Sequence, residues 1–352
     1  LQTAEFLYET RLFPDIEYAF KHALTHDVAY EGLLHERRIA LHRLILEAME
    51  RNDADHQSEQ LDQLAYHAMR GEVWARAATY LRRMGSKAEE RGVLREAVAC
   101  FEQALSALER LPADRDIIEW SIDLRFDLQG ALYPLGSTER TLEHLQVAER
   151  QAKALGDQKR LGRVWAHLTY CYYWIGDLER AAGIGQRAQD LSVSLDDLAL
   201  RVSTNTRLGQ VEFAAGNFRK AAELFEANMV LLESDATRRP LGLPLVPASF
   251  SRDRLGWCQA TLGEFAAARA TLDQGVRMAE EARHPYTIGN LYCSLGWAFM
   301  LQGEFTVAIS WLERARRLPG GDSIPLLVSL VTWRLGEAYV FDGRVEEGVA
   351  LL

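Results

Sequence analysis

The sequence predicts an all-α fold in which helix hairpins stack side by side as a solenoid. Seven glycines form a ladder with steps of 44, 40, 40, 47, 40 and 40 residues. A small residue or threonine follows each ladder glycine after five positions, and a bulky apolar residue follows after nine in all cases but one. Repetition at such a period is the signature of stacked supersecondary units. The ladder consists of Gly92, Gly136, Gly176, Gly216, Gly263, Gly303 and Gly343.

The stretch from Thr287 to Leu312 shows how one unit is built. Its first half carries apolar residues over more than half of a helical circumference and ends at the turn Gln302-Gly303-Glu304. Glycine can take the left-handed conformation that closes a helix, because it has no Cβ to clash. The second half places apolar residues at i, i+3, i+4 and i+7, which is one stripe of a helix. The pattern therefore predicts two antiparallel helices joined by a tight turn.

Composition and motifs exclude several classes of function. The chain has 352 residues and a formal net charge of −10, with 40 basic and 50 acidic residues well mixed. Nucleic-acid binding needs a basic face to neutralise phosphates, so no direct nucleic-acid contact is expected. No apolar run is long enough to span a membrane, and four scattered cysteines are expected to be buried hydrophobes in a reducing cytoplasm. The motifs GxxxxGK[ST], GxSxG, HExxH and CxxC do not occur, so no catalytic residue and no metal site is predicted.

The pattern LG…Y…G[DE]F…A…F…A within these units resembles the tetratricopeptide repeat (TPR), a helix–turn–helix unit of 34 residues. The period here is about six residues longer, which is similar to the repeats of maltose-activator-type regulators and related signalling ATPases. The resemblance implies a right-handed superhelix over residues 56–352. It begins with a short hairpin at 56–84 and continues as about seven repeats of about 40 residues, the last one truncated. Since the chain lacks an initial Met and stops within an expected helix, we expect a piece of a longer protein.

Residues 1–55 differ from the repeats and form a separate predicted segment. The stretch FKHALTHDVAYEGLLHERRIALHRLILEAME belongs to a helical pattern that begins at Tyr18. It resembles the end of the winged-helix region that precedes helical repeats in bacterial STAND signalling ATPases, notably those fused to class III adenylate or guanylate cyclases. The resemblance implies a short winged-helix remnant here. It also implies ATP or ADP with Mg²⁺ in modules outside this chain, and no cofactor within it.

Two histidines of this segment allow different interpretations. His22 and His26 are spaced i, i+4 on the expected helix, which could place two imidazoles on one metal ion. No third ligand follows at a suitable spacing, so a metal site is not predicted. The family resemblance implies instead that His22 senses nucleotide, because a winged-helix histidine of these ATPases contacts bound ADP. The alternative is an ordinary half-buried helix histidine.

The 47-residue step of the ladder contains a proline-rich insert, residues 233–253. Pro240, Pro244 and Pro247 lack backbone donors and fix φ, so the insert is predicted to be a loop or extended segment and not helix interior. Either a partner-contact loop or a tolerated surface insertion would give this pattern.

The first helices of stacked hairpins line a concave groove, and the second helices form the convex side. Four units carry a second glycine seven residues before the ladder glycine, and we take the residue after it to face the groove. Aromatic residues anchor many interfaces, so these positions are candidates for binding. The alternative is that the rings only pack between consecutive first helices. The predicted groove residues are Arg163, Tyr170, Tyr173, Gln210, Phe213, Asp253, Trp257, Asn290, Trp297 and Trp333.

Two functions remain. The first is a non-catalytic binding scaffold for a protein or peptide, acting as the sensor segment of a cytoplasmic signalling protein. Its ATPase and nucleotidyl cyclase modules would lie outside this chain and contact the repeats intramolecularly. The second is the sensor region of a maltose-activator/LuxR-type ATPase that regulates transcription. A peptide suits the groove better than a small metabolite, although the second resemblance leaves a sugar open. An enzyme in its own right is the least expected function.

Overall fold

The computed structural model describes residues 7–11, 17–20, 28, 30–52, 60–233, 246–319 and 324–352. The chain divides into two compact units, Leu1–Leu135 and Gly136–Leu352. Helices dominate the described residues, which confirms the predicted all-α fold class, and one two-stranded sheet is the exception. Among the described helices, none is both long and apolar enough to cross a lipid bilayer.

An antiparallel β-hairpin lies near the start of unit 1. Strand β1 (Leu7–Arg11) pairs with β2 (Glu17–Phe20), and Leu7 lies opposite Phe20. The helical pattern predicted from Tyr18 onward is therefore wrong at its first residues. Aromatic residues fit strands well, and pairing with an earlier segment outweighs a helical pattern of only a few residues. The remaining residues of the predicted winged-helix remnant are described only in part, and that assignment stays a prediction.

The rest of described unit 1 is helical. Its helices are α1 (His35–Asn52), α2 (Leu61–Arg70), α3 (Trp74–Glu90), α4 (Leu94–Leu108) and α5 (Arg115–Leu132), followed by a 3₁₀ turn, Tyr133–Leu135. Helix α3 packs against both α2 and α4. One helix therefore completes the short hairpin predicted at 56–84 and also begins the first repeat.

The turn between α2 and α3 uses its glycine differently from the ladder turns. Positive φ falls on Glu72, at 53°, and not on Gly71. A Cβ on Gly71 would come within 3.1 Å of the backbone nitrogen of Arg43. The Arg43 Nε donates a hydrogen bond to the Gly71 carbonyl at 2.7 Å. Glycine is needed here because α1 approaches closely, and not because the backbone is left-handed.

Unit 2 alternates second and first helices of the predicted repeats. The first helices are α7 (Gln158–Ile175), α9 (Leu198–Ala214), α11 (Pro247–Thr261), α13 (Pro285–Leu301) and α15 (Pro325–Phe341). The second helices are α6 (Thr138–Leu155), α8 (Leu178–Ser194), α10 (Phe218–Glu233), α12 (Phe265–Glu281), α14 (Phe305–Arg316) and α16 (Val345–Leu351). Each first helix packs against the second helix of its own hairpin and of the preceding one.

All seven ladder glycines lie in turns with left-handed backbone, at φ between 68° and 86°. A Cβ at any of them would meet no atom within 4 Å. The backbone conformation alone therefore requires glycine, as the sequence predicted. The small residue five positions later is fully buried in most units, with 0% exposure at Ala97, Ala181, Ala221, Ala268 and Ala308.

The glycine seven residues before the ladder glycine packs against the bulky residue nine positions after it. A Cβ on Gly296 would come within 2.7 Å of the Leu312 side chain. Gly209 faces Phe225, Gly256 faces Leu272, and Gly336 faces Leu352 in the same way. In the hairpin that has Gly185 at the later position, the earlier one is Thr169, whose side chain would be 3.1 Å from a Cβ on Gly185. Small and large residues have thus exchanged sides of one contact.

The proline-rich insert is shorter than predicted. Residues 234–245 lie outside the described residues, but residues 247–253 form the first turns of α11. Pro247 occupies the first helical position, where its missing N–H is not needed and its fixed φ suits a helix. The prediction of non-helical structure up to residue 253 is therefore wrong after Val246.

Candidate functional site

The first helices of consecutive hairpins in unit 2 contact one another: α7 with α9, α9 with α11, α11 with α13, and α13 with α15. We call the surface that these five helices form the first-helix face. All ten predicted groove residues lie on these helices. None lies in a turn, so a rigid helical scaffold positions every candidate side chain.

Trp257 lies at the centre of an aromatic row on the first-helix face. Its ring centroid is 5.8 Å from that of Phe213 on α9 and 6.5 Å from that of Trp297 on α13. The Trp257 Nε1 donates a hydrogen bond to the Ser294 hydroxyl. All three rings are half-buried, so they do pack between consecutive first helices, while part of their surface stays accessible.

The row ends at Trp333 on α15, whose side chain is 48% exposed. At the other end, Tyr170 and Tyr173 of α7 stack with their centroids 6.0 Å apart. Trp174 lies edge-on to both rings and is 52% exposed. Burial raises the pKa of Tyr173, against an opposing effect of the Arg254 cation. The exposed indoles are the parts of this face best placed to contact a partner.

Three arginines of the first-helix face were not among the predicted residues. Arg334 lies with its guanidinium carbon 4.1 Å from the Trp297 centroid and 4.2 Å from that of Trp333. Arg254 lies 4.7 Å from Trp257, and Arg207 lies 5.9 Å from Tyr170. The sequence did hold a signal for them, because each precedes a ladder glycine by nine residues. The prediction followed the aromatic positions and missed this second register.

Asp253 is an acidic group inside this face, with only 1% exposure. It accepts a hydrogen bond from the Ser294 hydroxyl, and its Oδ2 lies 3.4 Å from the Arg254 Nε. Burial raises the pKa of the Asp253 carboxyl, while Arg254 and Ser294 act in the opposite direction. The carboxylate is thus held between two helices, where it orients Arg254 and is not presented to a ligand.

The other predicted polar residues differ in accessibility. Asn290 is 3% exposed, and its Nδ2 donates to the Tyr286 carbonyl of its own helix at 2.8 Å. Gln210 is half-buried, and Arg163 is exposed. Of these three, Arg163 is the most accessible to a partner. His22, the predicted nucleotide-sensing residue, lies outside the described residues.

Unit 1 contains a histidine pair that the sequence did not indicate. The His42 Nδ1 lies 2.9 Å from the His67 Nδ1, and the Tyr30 hydroxyl lies 3.0 Å from the His42 Nε2. Burial lowers the pKa of both imidazoles, and the neighbouring His67 and Arg70 lower that of His42 further. Within the described ranges no three histidine, cysteine or acidic side chains are grouped as a metal site would require.

The arrangement in unit 2 offers ring surfaces and guanidinium groups on one face. Such a face can recognise a partner through stacking, cation–π contact and charge-assisted hydrogen bonds. The four cysteines are all buried, and burial raises the pKa of Cys258 and Cys293 to about 12, so these two thiols are protonated near neutral pH.

Comparison with known proteins gives structural matches. No family model matches the sequence, and no curated protein does. The apo form of RapI superposes with a TM-score of 0.59 at 13% identity, over 78% of this chain and 94% of RapI. The Rap conjugation gene regulator of plasmid pLS20, in complex with the Phr* peptide, gives 0.58 at 11% identity over 90% and 93%.

A STAND protein with a tetratricopeptide repeat sensor from Pyrococcus horikoshii gives a TM-score of 0.54 at 12% identity. The match covers 92% of this chain and 46% of that protein. At these identities the likeness concerns the fold alone. The fold of this chain is that of helical-repeat proteins of the tetratricopeptide type.

Proposed function

We propose that the chain is a non-catalytic recognition module and that the first-helix face of unit 2 binds a protein or peptide segment. The observation that carries the proposal is the row of half-buried and exposed rings from Phe213 to Trp333, interleaved with arginines. Tyrosine, tryptophan and arginine dominate the energetics of protein interfaces, because they give much contact area for little loss of conformational entropy.

The accessibility of Trp333 supports this reading over packing alone. A ring that served only as core would be buried, as Phe225 is at 1% exposure on a second helix. Trp333 leaves about half of its surface in solvent although Arg334 lies over it. The Rap regulator with the Phr* peptide supports a peptide as the class of partner, since its fold is similar.

The wider setting that we propose is a sensor segment within a STAND-type signalling ATPase. Support comes from the STAND protein that carries a repeat sensor, of which this chain matches a part. ATP or ADP and Mg²⁺ would bind in other modules, and a nucleotidyl cyclase module is the proposed effector. A maltose-activator/LuxR-type regulator is the alternative. The full-length gene distinguishes them, because an upstream cyclase module supports the first and a downstream helix-turn-helix supports the second.

Selection from a random peptide library displayed on phage tests the binding proposal. Enriched peptides are synthesised, and their affinity is measured by fluorescence anisotropy for the parent protein and for two variants. Trp333→Ala removes an exposed ring of the first-helix face. Trp311→Ala is the matched control, because Trp311 is a half-buried ring on second helix α14, 5.4 Å from Tyr292.

Trp333→Ala should weaken binding by about 2 kcal/mol, roughly thirtyfold, if the ring is an interface anchor. Trp311→Ala should leave the affinity within about twofold. Circular dichroism of both variants checks that the helices are retained. If no peptide is enriched, or if the two variants bind equally well, the first-helix face is not the binding surface.

A further inference from the structure

Arg254 and Arg334 occupy the same repeat position, and both lie beside one indole ring. The guanidinium carbons are 4.7 and 5.7 Å from the centroid of Trp257. Arg207 holds the same position one hairpin earlier, nine residues before Gly216. Cations therefore recur along the first-helix face of a chain whose net charge is −10. The face is a local concentration of positive charge.

The aromatic rings hold each guanidinium by its flat side. Arg254 lies 4.7 Å from Phe250 as well as from Trp257, and Arg334 lies 4.1 Å from Trp297. A guanidinium stacked in this way keeps its N–H donors in the ring plane, where they can bind a carboxylate bidentately. Stacking also reduces the conformational freedom that binding would otherwise have to restrict.

Hydrogen bonding in this cluster leaves donors in excess. Asp253 and Arg254 face each other, and the Arg334 Nη1 donates to Glu337 at 2.9 Å. The Nε of Arg334 and the Nε1 of Trp297 have no acceptor. Arg334 is itself only 6% exposed. An unsatisfied buried donor costs about 1–3 kcal/mol, so a ligand that brings acceptors to this cluster would be favoured.

We propose that the partner of this face is an acidic peptide in which two carboxylate side chains, two or three residues apart, pair with Arg254 and Arg334. This rests on the proposed function and specifies its partner. In an extended peptide, side chains two residues apart are spaced by about 7 Å along the chain. That spacing matches two cations that flank a single indole. Glu337, which is half-buried beside Arg334, is the anion that a ligand carboxylate would replace.

Single-stranded nucleic acid is the other class that combines stacking with negative charge. The page of charges around the arginines favours the peptide. Asp253 and Glu337 lie within 3.4 and 2.9 Å of the two guanidinium groups, which leaves little net charge for a continuous phosphate backbone. Carboxylates at two points need only the two stacked cations.

The test uses two fluorescein-labelled pools of capped heptapeptides with the pattern XX[DE]X[DE]XX or XX[NQ]X[NQ]XX, where X excludes charged residues. The pools are nearly isosteric and differ in charge. Anisotropy at low salt should show the acidic pool binding at least tenfold more tightly. Raising the ionic strength to 0.5 M should remove most of that preference, since ionic pairs are screened.

Variants locate the preference. Arg334→Gln and Arg254→Gln should each reduce it to less than threefold. Arg314→Gln is the matched control, because Arg314 is also stacked, 4.4 Å from Trp311 and 4.7 Å from Tyr292, but on second helix α14. It should keep the full preference. Circular dichroism again confirms that each variant is folded.

Equal binding of the two pools, tighter binding of a lysine-containing pool, or tighter binding of a ten-nucleotide oligothymidylate would each overturn the inference. So would a preference that Arg314→Gln abolishes as well. Peptides from the phage selection separate the two proposals. If those peptides bind through Trp333 but show no acidic preference, the binding face stands and the charge assignment fails.

Discussion

The contact between Gly296 and Leu312 gives a quantitative test of how the hairpins pack. A methyl group on Gly296 would come within 2.7, 3.0 and 3.3 Å of three carbons of Leu312, which is 0% exposed. Gly296→Ala should therefore destabilise by about 1–3 kcal/mol through overpacking, offset by up to about 1 kcal/mol from the better helix propensity of alanine. Leu312→Ala should cost about 2–5 kcal/mol, because it leaves a cavity.

The double variant separates this packing account from generic destabilisation. With Leu312 truncated, the clash disappears and the new methyl group fills part of the cavity. Gly296→Ala/Leu312→Ala should thus be more stable than the sum of the single effects by about 1–3 kcal/mol. The measurement is urea unfolding followed by circular dichroism.

Gly183→Ala is the matched control, since Gly183 lies inside helix α8 and a Cβ there meets no atom within 4 Å. It should stabilise the protein by about 0.5–1 kcal/mol. Single effects that simply add, within about 0.5 kcal/mol, would show that Gly296 and Leu312 are not in contact. A destabilising Gly183→Ala would show that the helical environment, and not the contact, decides the outcome.

Two further predictions concern turns and pH. Gly263→Ala should cost about 1–2 kcal/mol, because φ is 81° with open space around a Cβ, whereas Arg283→Gly, at φ 51°, should stabilise by up to about 1 kcal/mol; equal effects of both in urea unfolding would refute the strain argument. The pKa values of His42 and His67 are lowered in the folded state, so the unfolded chain binds more protons below pH 6.5. Stability should be complete above pH 6.5 and fall as the pH drops toward 5, and His67→Gln should reduce that fall. His35→Gln, which alters an exposed side chain, should leave the fall unchanged, and an unaltered fall in His67→Gln would contradict the assignment.

The repeat architecture could be predicted from the sequence because its determinants are local. A left-handed turn accepts glycine at low cost, and the helical stripe on either side is visible within one hairpin. The exchange of Thr169 and Gly185 was visible only as two irregular residues. Their contact explains both, since one small and one larger side chain share a fixed volume.

Features that depend on distant partners could not be predicted in the same way. The β-hairpin pairs Leu7 with Phe20 across a segment that also carries a helical pattern. The amide of Asn290 bonds to its own helix, a choice of rotamer that sequence spacing does not reveal. The stacked arginines became evident once the rings around Trp257 were located, although their common register was already present in the sequence.

The most direct test of the binding face is hydrogen–deuterium exchange of the protein with and without a peptide from the phage selection. Bound peptide should slow exchange in the first helices of unit 2, most strongly in α11, α13 and α15, where Trp257, Trp297 and Trp333 lie. Exchange in second helices α12 and α14 should change little. Protection confined to those second helices, or to unit 1, would contradict the account.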